Sequence, residues 1–230
     1  MSEDFLGVVK KREFWRGQRY LFVALPVVAS FWIFQIMGVL GGRSPLIAWM
    51  ISAGIAVVIM FIMTLDALNN APRQALFELH GLLLQLGVIL VGNAAVVTLQ
   101  LLQGVQWQPL DTVIVCMAIS GALVVIALGK SRSHPIASPW PRCGLTLSLK
   151  CLPQLFQAWP LLFVNGGLHL FAVVALFAQG ILRFWPAAKA RRQAEGAVAQ
   201  EALFVATAVD LLTIVVVCAC YGVGVAGWLR

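Results

Sequence analysis

The stretch CGLTLSLKCLPQLFQAWPLLFVNGGLHLFAVVALFAQGILRFW, Cys143–Trp185, is apolar almost throughout. It is about twice the ~20 residues one helix needs to cross a hydrocarbon core. Asn165-Gly166-Gly167 lies near its middle and supplies the turn chemistry of a tight helical hairpin. The stretch therefore divides into two expected spans, Cys143–Val164 and Leu168–Trp185. Four more precede it, near Tyr20–Gly41, Pro45–Asp66, His80–Gln103 and Thr112–Gly129, and one follows near Ala202–Trp228. A chain that is 61% hydrophobic and 11% charged has the composition of a polytopic membrane protein. The expected fold is all-α, with seven transmembrane helices.

Charge tests this division. With the N-terminus in the cytoplasm, thirteen of the sixteen Lys and Arg residues fall on the cytoplasmic side. They are Lys10, Lys11, Arg12, Arg16 and Arg19; Arg73; Lys130, Arg132 and Arg142; and Arg183, Lys189, Arg191 and Arg192. Arg43 and Arg230 fall outside, and Lys150 lies within a span. Lys and Arg are retained in cytoplasmic loops, so the N-terminus is expected inside and the C-terminus outside. Short loops and small size point to a bacterial inner membrane. Seven spans divide as three, one and three: residues 1–19 as an N-terminal interfacial helix, 20–103 as a first three-helix bundle, 104–142 as a linker helix and loop, and 143–230 as a second three-helix bundle. An odd linker makes the two bundles parallel repeats, a plan in which transporters bind substrate at the repeat interface.

The net charge of +7 calls for no nucleic acid, because basic residues flanking spans already face anionic headgroups. Ser2–Arg19 mixes those charges with Phe5, Leu6, Val8, Val9, Phe14 and Trp15, as an interfacial helix does. The same segment, residues 2–19, offers a docking site for a protein partner. The apolar run after it is too long for a cleavable signal peptide. The five cysteines lack C-x-x-C spacing and a nearby His cluster, so neither a metal site nor a disulfide framework is expected. There is no H-E-x-x-H, no G-x-S-x-G and no paired-carboxylate motif, so no cofactor and no enzymatic activity is expected.

Pro153-Gln154 sits within an apolar helix, in Lys150-Cys151-Leu152-Pro153-Gln154-Leu155-Phe156, followed by Gly166-Gly167-Leu168-His169-Leu170. This pattern resembles the PQ-loop family, which includes the SWEET sugar transporters, mainly over residues 143–225. In the first bundle, Phe34-Gln35 followed by Gly41-Gly42-Arg43-Ser44 is a counterpart without the proline. The resemblance implies a small-solute transporter with polar residues on the third and seventh spans facing the solute, here Asn93 and Asp210. Such proteins generally run in the opposite orientation to the one the charges indicate.

Physical reading of single residues extends the candidate set. A proline inside a membrane helix frees a carbonyl and kinks the chain, so Pro26 and Pro153 are candidate hinges or fixed kinks. Gln154 compensates that carbonyl or points into a cavity. An intramembrane charge needs a reason, and for Asp210 it is a solute, a hydrogen bond to a neighbouring helix, or a pairing with Lys150. Gln85, Asn93 and Gln100 fall roughly along one face of the third span, either lining a polar path or bonding to neighbouring helices. Trp32, Trp49 and Trp159 offer aromatic faces, whereas Asp66 and His80 are expected at the interface. The substrate-binding set is thus Asn93, Asp210, Gln154, Gln35, Trp32 and Trp159. The leading expectation is a transporter or facilitator of a small polar solute (sugar, amino acid or vitamin-like) working between the two bundles. The alternative is a non-catalytic membrane subunit of a larger envelope complex.

Overall fold

A computed structural model describes residues 12–42, 46–69, 71–129, 139–155, 170–194 and 196–228. The described residues form helices and no strands. They are α1 Arg12–Gly17, α2 Leu21–Leu40, α3 Ile47–Asn69, α4 Arg73–Leu102, α5 Pro109–Gly129, α6 Pro139–Thr146, α7 Leu170–Gln193 and α8 Val198–Trp228. A π-helical segment, Leu147–Cys151, continues α6, and residues 152–155 are again helical. Four stretches are long and apolar enough to cross a membrane: Leu21–Leu40, Ile47–Asn69, Gln74–Leu102 and Val198–Gly224. Pro109–Val125 is a shorter apolar helix. At ~1.5 Å per residue, twenty helical residues match a ~30 Å hydrocarbon core. The protein is an all-helical integral membrane protein.

α4 packs against α2, α3 and α7, while α8 packs against α7, α6 and α3. α5 and α6 pack on each other and on the free side of α3. Buried side chains from α2, α3, α4, α7 and α8 make one continuous core, including Phe31, Met50, Met60, Leu82, Leu86 and Leu203. Outward-facing Phe22, Ile33, Met37, Leu123, Phe171 and Leu212 are exposed, as expected of a lipid-facing surface.

Polar contacts align the helix ends. At one end, Arg142 of α6 bonds Asp66 of α3, and Lys189 of α7 bonds Glu78 of α4 at 2.5 Å. Gln200 of α8 donates to the Ala67 carbonyl at 2.8 Å, satisfying one of the last orphan carbonyls of α3. At the opposite end, buried Asp111 of α5 accepts from Ala48 N at 2.9 Å and Gln108 N at 2.8 Å. One carboxylate thus satisfies an N–H in the first turn of α3 while capping its own helix. α6 leaves the end to which α7 returns. That end carries Arg142, Lys189, Arg191 and Arg192, the basic side of the expected topology.

Several expectations shift. The N-terminal helix is not merely laid on the interface: Phe14 of α1 is fully buried against Leu21 and Ala24, with its ring 5.9 Å from that of Phe77. α4 begins at Arg73, a turn or more before the expected span, so His80 is inside the helix and buried rather than interfacial. Its Nδ1 pairs with the Leu76 carbonyl at 2.6 Å. The Asn165-Gly166-Gly167 turn lies outside the described residues, as do residues 1–11.

Candidate functional site

Pro153 has no N–H, so the carbonyl of Leu149 loses its i+4 donor and the ladder of α6 is already interrupted there. Just before it the helix widens: Leu152 N donates to the Leu147 carbonyl, five residues back. Such π turns insert one extra residue and re-aim the side chains on them. Lys150 lies on this turn and is buried.

Its Nζ donates to Asp210 Oδ1 of α8 at 2.5 Å. The second carboxylate oxygen faces Arg183 Nη2 of α7 at 2.8 Å. Arg183 Nε donates to the Gln179 carbonyl at 3.3 Å. The side chains of Lys150, Arg183 and Asp210 are only 9%, 2% and 2% exposed. Each lies roughly 15–18 Å along its helix from the terminus at the basic end, in the buried interior of the helix bundle. Two cations therefore share one carboxylate in a low-dielectric interior, where an unneutralised charge is costly.

A polar layer adjoins the charges. Gln154 follows Lys150 by four residues, Gln179 precedes Arg183 by four, and Thr213 follows Asp210 by three. Helical periodicity places each near the same face as its charge, one turn further from the basic end. All three are buried. Thr213 donates to the Val209 carbonyl at 2.8 Å, whereas Gln154 Oε1 and Gln179 Oε1 have no hydrogen-bond partner among the described residues. Buried polar atoms are usually satisfied, so two orphans beside an unbalanced charge set mark a candidate site, while Trp32 Nε1, Trp49 Nε1 and Gln85 Oε1 also lack partners among the described residues.

The other sequence candidates are placed differently. Asn93 Nδ2 donates to the Met50 carbonyl at 3.0 Å, and its Oδ1 lies against Gly54, where an added Cβ would come within 2.5 Å. Asn93 and Asp210 thus engage different partners. Trp32 fills the notch left by Gly92, where a Cβ would lie 2.2 Å from its Cγ. Gln35 is buried on α2, and Pro26 lies inside that helix. Trp159 lies outside the described residues. The α4 stripe splits: Gln85 donates to the Leu182 carbonyl of α7 at 3.3 Å, while Asn93 reaches α3. Eight residues of α-helix rotate a side chain by about 80°, enough to separate these neighbours.

Arg183 is the residue the charge pattern misassigned. It belongs to the interior rather than the cytoplasmic surface, and Gln179 was overlooked with it. A local signal existed: Arg183 precedes Trp185, an interfacial residue type, and Gln179 lies one turn away on the same face. All three charges come from the second bundle, residues 143–230. α3 and α8 pack directly against the π segment. Compared with protein families, curated sequences and solved structures, the chain matches none.

Proposed function

We propose that the protein is a membrane transporter or facilitator of a small polar solute bearing an acidic group, with Lys150, Arg183 and Asp210 as its central charge site. The observation that carries this reading is the meeting of two cations with one carboxylate, all three almost fully buried among apolar helices. A solute anion would neutralise the surplus charge, and Gln154 and Gln179 would hydrogen-bond its polar remainder. Intramembrane ionisable groups commonly mark substrate or ion paths, and π turns recur at functional sites. Seven crossings, N-terminus inside, are proposed with it. Supporting them are α6 leaving and α7 returning to the basic end, which still carries Arg142, Lys189, Arg191 and Arg192 once Arg183 is counted as interior. The bacterial inner membrane remains the proposed location. We propose no catalytic role for these residues.

Counterflow in proteoliposomes with labelled amino acids, dicarboxylates and uncharged sugars tests this. Saturable exchange of an acidic solute is expected, with Arg183→Leu reducing it at least tenfold in protein that remains folded. Exchange of none of the acids, or of sugars only, would overturn the acidic-solute reading.

A second reading, a non-transporting subunit, is favoured by the closure of the site: all three charges are almost fully buried. Here the cluster would fix helix register. Stable co-purification of an envelope protein, lost on deleting residues 2–11, with no solute exchange, is its signature.

A further inference from the structure

The α7–α8 connection holds a second feature, unrelated to the central charges. A groove of about 600 Å³ opens where α7 ends and α8 begins. Trp185, Lys189, Arg191, Arg192, Glu201 and Phe204 line it. The turn is made at Gly196, whose φ of +79° suits glycine. The Arg191 guanidinium carbon stands 4.5 Å from the centroid of the Phe204 ring, a cation–π contact that holds it in the groove. Phe184 braces Phe204, with ring centroids 5.4 Å apart. Arg192 is exposed, and the Lys189 side chain stays 48% exposed while bonded to Glu78.

The groove thus has two halves. Its wall toward the membrane is aromatic, with Trp185 62% exposed at the edge of the apolar run. Its rim carries three cations against one lining carboxylate, Glu201, with Glu78 drawing on Lys189 alone. A soluble anion would leave the aromatic wall unused, and a neutral lipid would leave the rim unmatched. An anionic phospholipid suits both, its acyl chains beside the exposed apolar surface of α7 and its phosphodiester between the arginines. We infer that this groove is a binding site for one anionic phospholipid headgroup at the cytoplasmic face.

Native mass spectrometry of the detergent-purified full-length protein, titrated with phosphatidylglycerol or phosphatidylcholine, provides the test. One tightly held phosphatidylglycerol is expected, and R191A/R192A should weaken it about thirtyfold, at roughly 1 kcal/mol per basic residue. The equally charge-reduced R16A/R19A should retain it. Glu201→Gln supplies the opposite sign and should tighten binding, a result that does not require the double variant to fold. Equal binding of both lipids, equal loss in R16A/R19A, or no tightening in Glu201→Gln would overturn the assignment. Displacement by millimolar inorganic phosphate would also overturn it, by marking a free-anion site.

Discussion

Where α3 meets α4, one neutral amide gives one hydrogen bond to one carbonyl, and the rest of the contact is shape. Asn93 seats against Gly54, and Trp32 of α2 fills the notch at Gly92. Where α6, α7 and α8 meet, three full charges converge on a distorted helix, and two amide oxygens nearby have no partner among the described residues. The first contact carries no charge and is closed sterically, although Trp32 Nε1 in it has no hydrogen-bond partner among the described residues. The second is closed sterically and open chemically, since its charges do not balance. The contrast is one of charge: a neutral amide satisfied by one carbonyl against a charge set that does not balance.

The comparison breaks most severely at Asp210. Asp210→Asn leaves two buried cations sharing no anion, and losing one partner of a buried pair costs about 3–5 kcal/mol. A large fall in Tm, or failure to accumulate in the membrane, is expected. Lys150→Met leaves a balanced Arg183–Asp210 pair and should fall much less. Thermal unfolding of both in detergent decides it, and equal losses would remove the idea of a surplus charge.

In the neutral contact, Gly92→Ala forces Trp32 from its notch, an overpacking cost of about 1–3 kcal/mol. Adding Trp32→Leu should recover part of that loss, whereas a purely additive double variant would show that the two do not share a contact. Smaller still, Asn93→Ala removes one interhelical bond worth roughly 0.6–1.7 kcal/mol. Its solute exchange should match wild type in folded protein.

The smallest stability effect carries the sharpest distinction. Gln154→Leu and Gln179→Leu each remove an unpartnered buried acceptor, so stability should change by less than about 1 kcal/mol, or rise. Exchange of the acidic solute should nevertheless fall. Stability and exchange both unchanged would return this region to the status of inert packing.

Much of the fold was legible in the sequence because lipid demands long apolar runs whatever their neighbours are. The spans near Tyr20–Gly41, Pro45–Asp66 and Ala202–Trp228 correspond to α2, α3 and α8 within a few residues. The Lys150–Asp210 pairing was legible as one of three roles for Asp210, beside a solute and a hydrogen bond to a neighbouring helix, since two lone opposite charges in apolar runs favour each other. Arg183 was hidden for a different reason. Counting basic residues by loop assigns any Arg near a span end to water, and only the rotation of α7 shows its side chain turning inward. Asn93 and Gln85 failed as one stripe because an 80° difference in direction is invisible until the neighbours are placed. The π turn was beyond the sequence too: Pro153 announces a disturbed helix but not which way the ladder yields.

That π turn acts as a phase adjuster between two anchors on one helix. Below it Arg142 must face Asp66 on α3, and within its last residues Lys150 must face Asp210 on α8. A regular helix would fix the angle between those two side chains by residue count alone, whereas π turns advance by less per residue. Because the wide turn holds one residue more than an α turn of similar sweep, removing a single codon between Leu147 and Leu149 would restore an ordinary ladder while leaving the anchors close to their present directions. The same one-residue deletion in the regular part of α6, between Arg142 and Thr146, would swing one anchor about 100° from its partner and disable the protein.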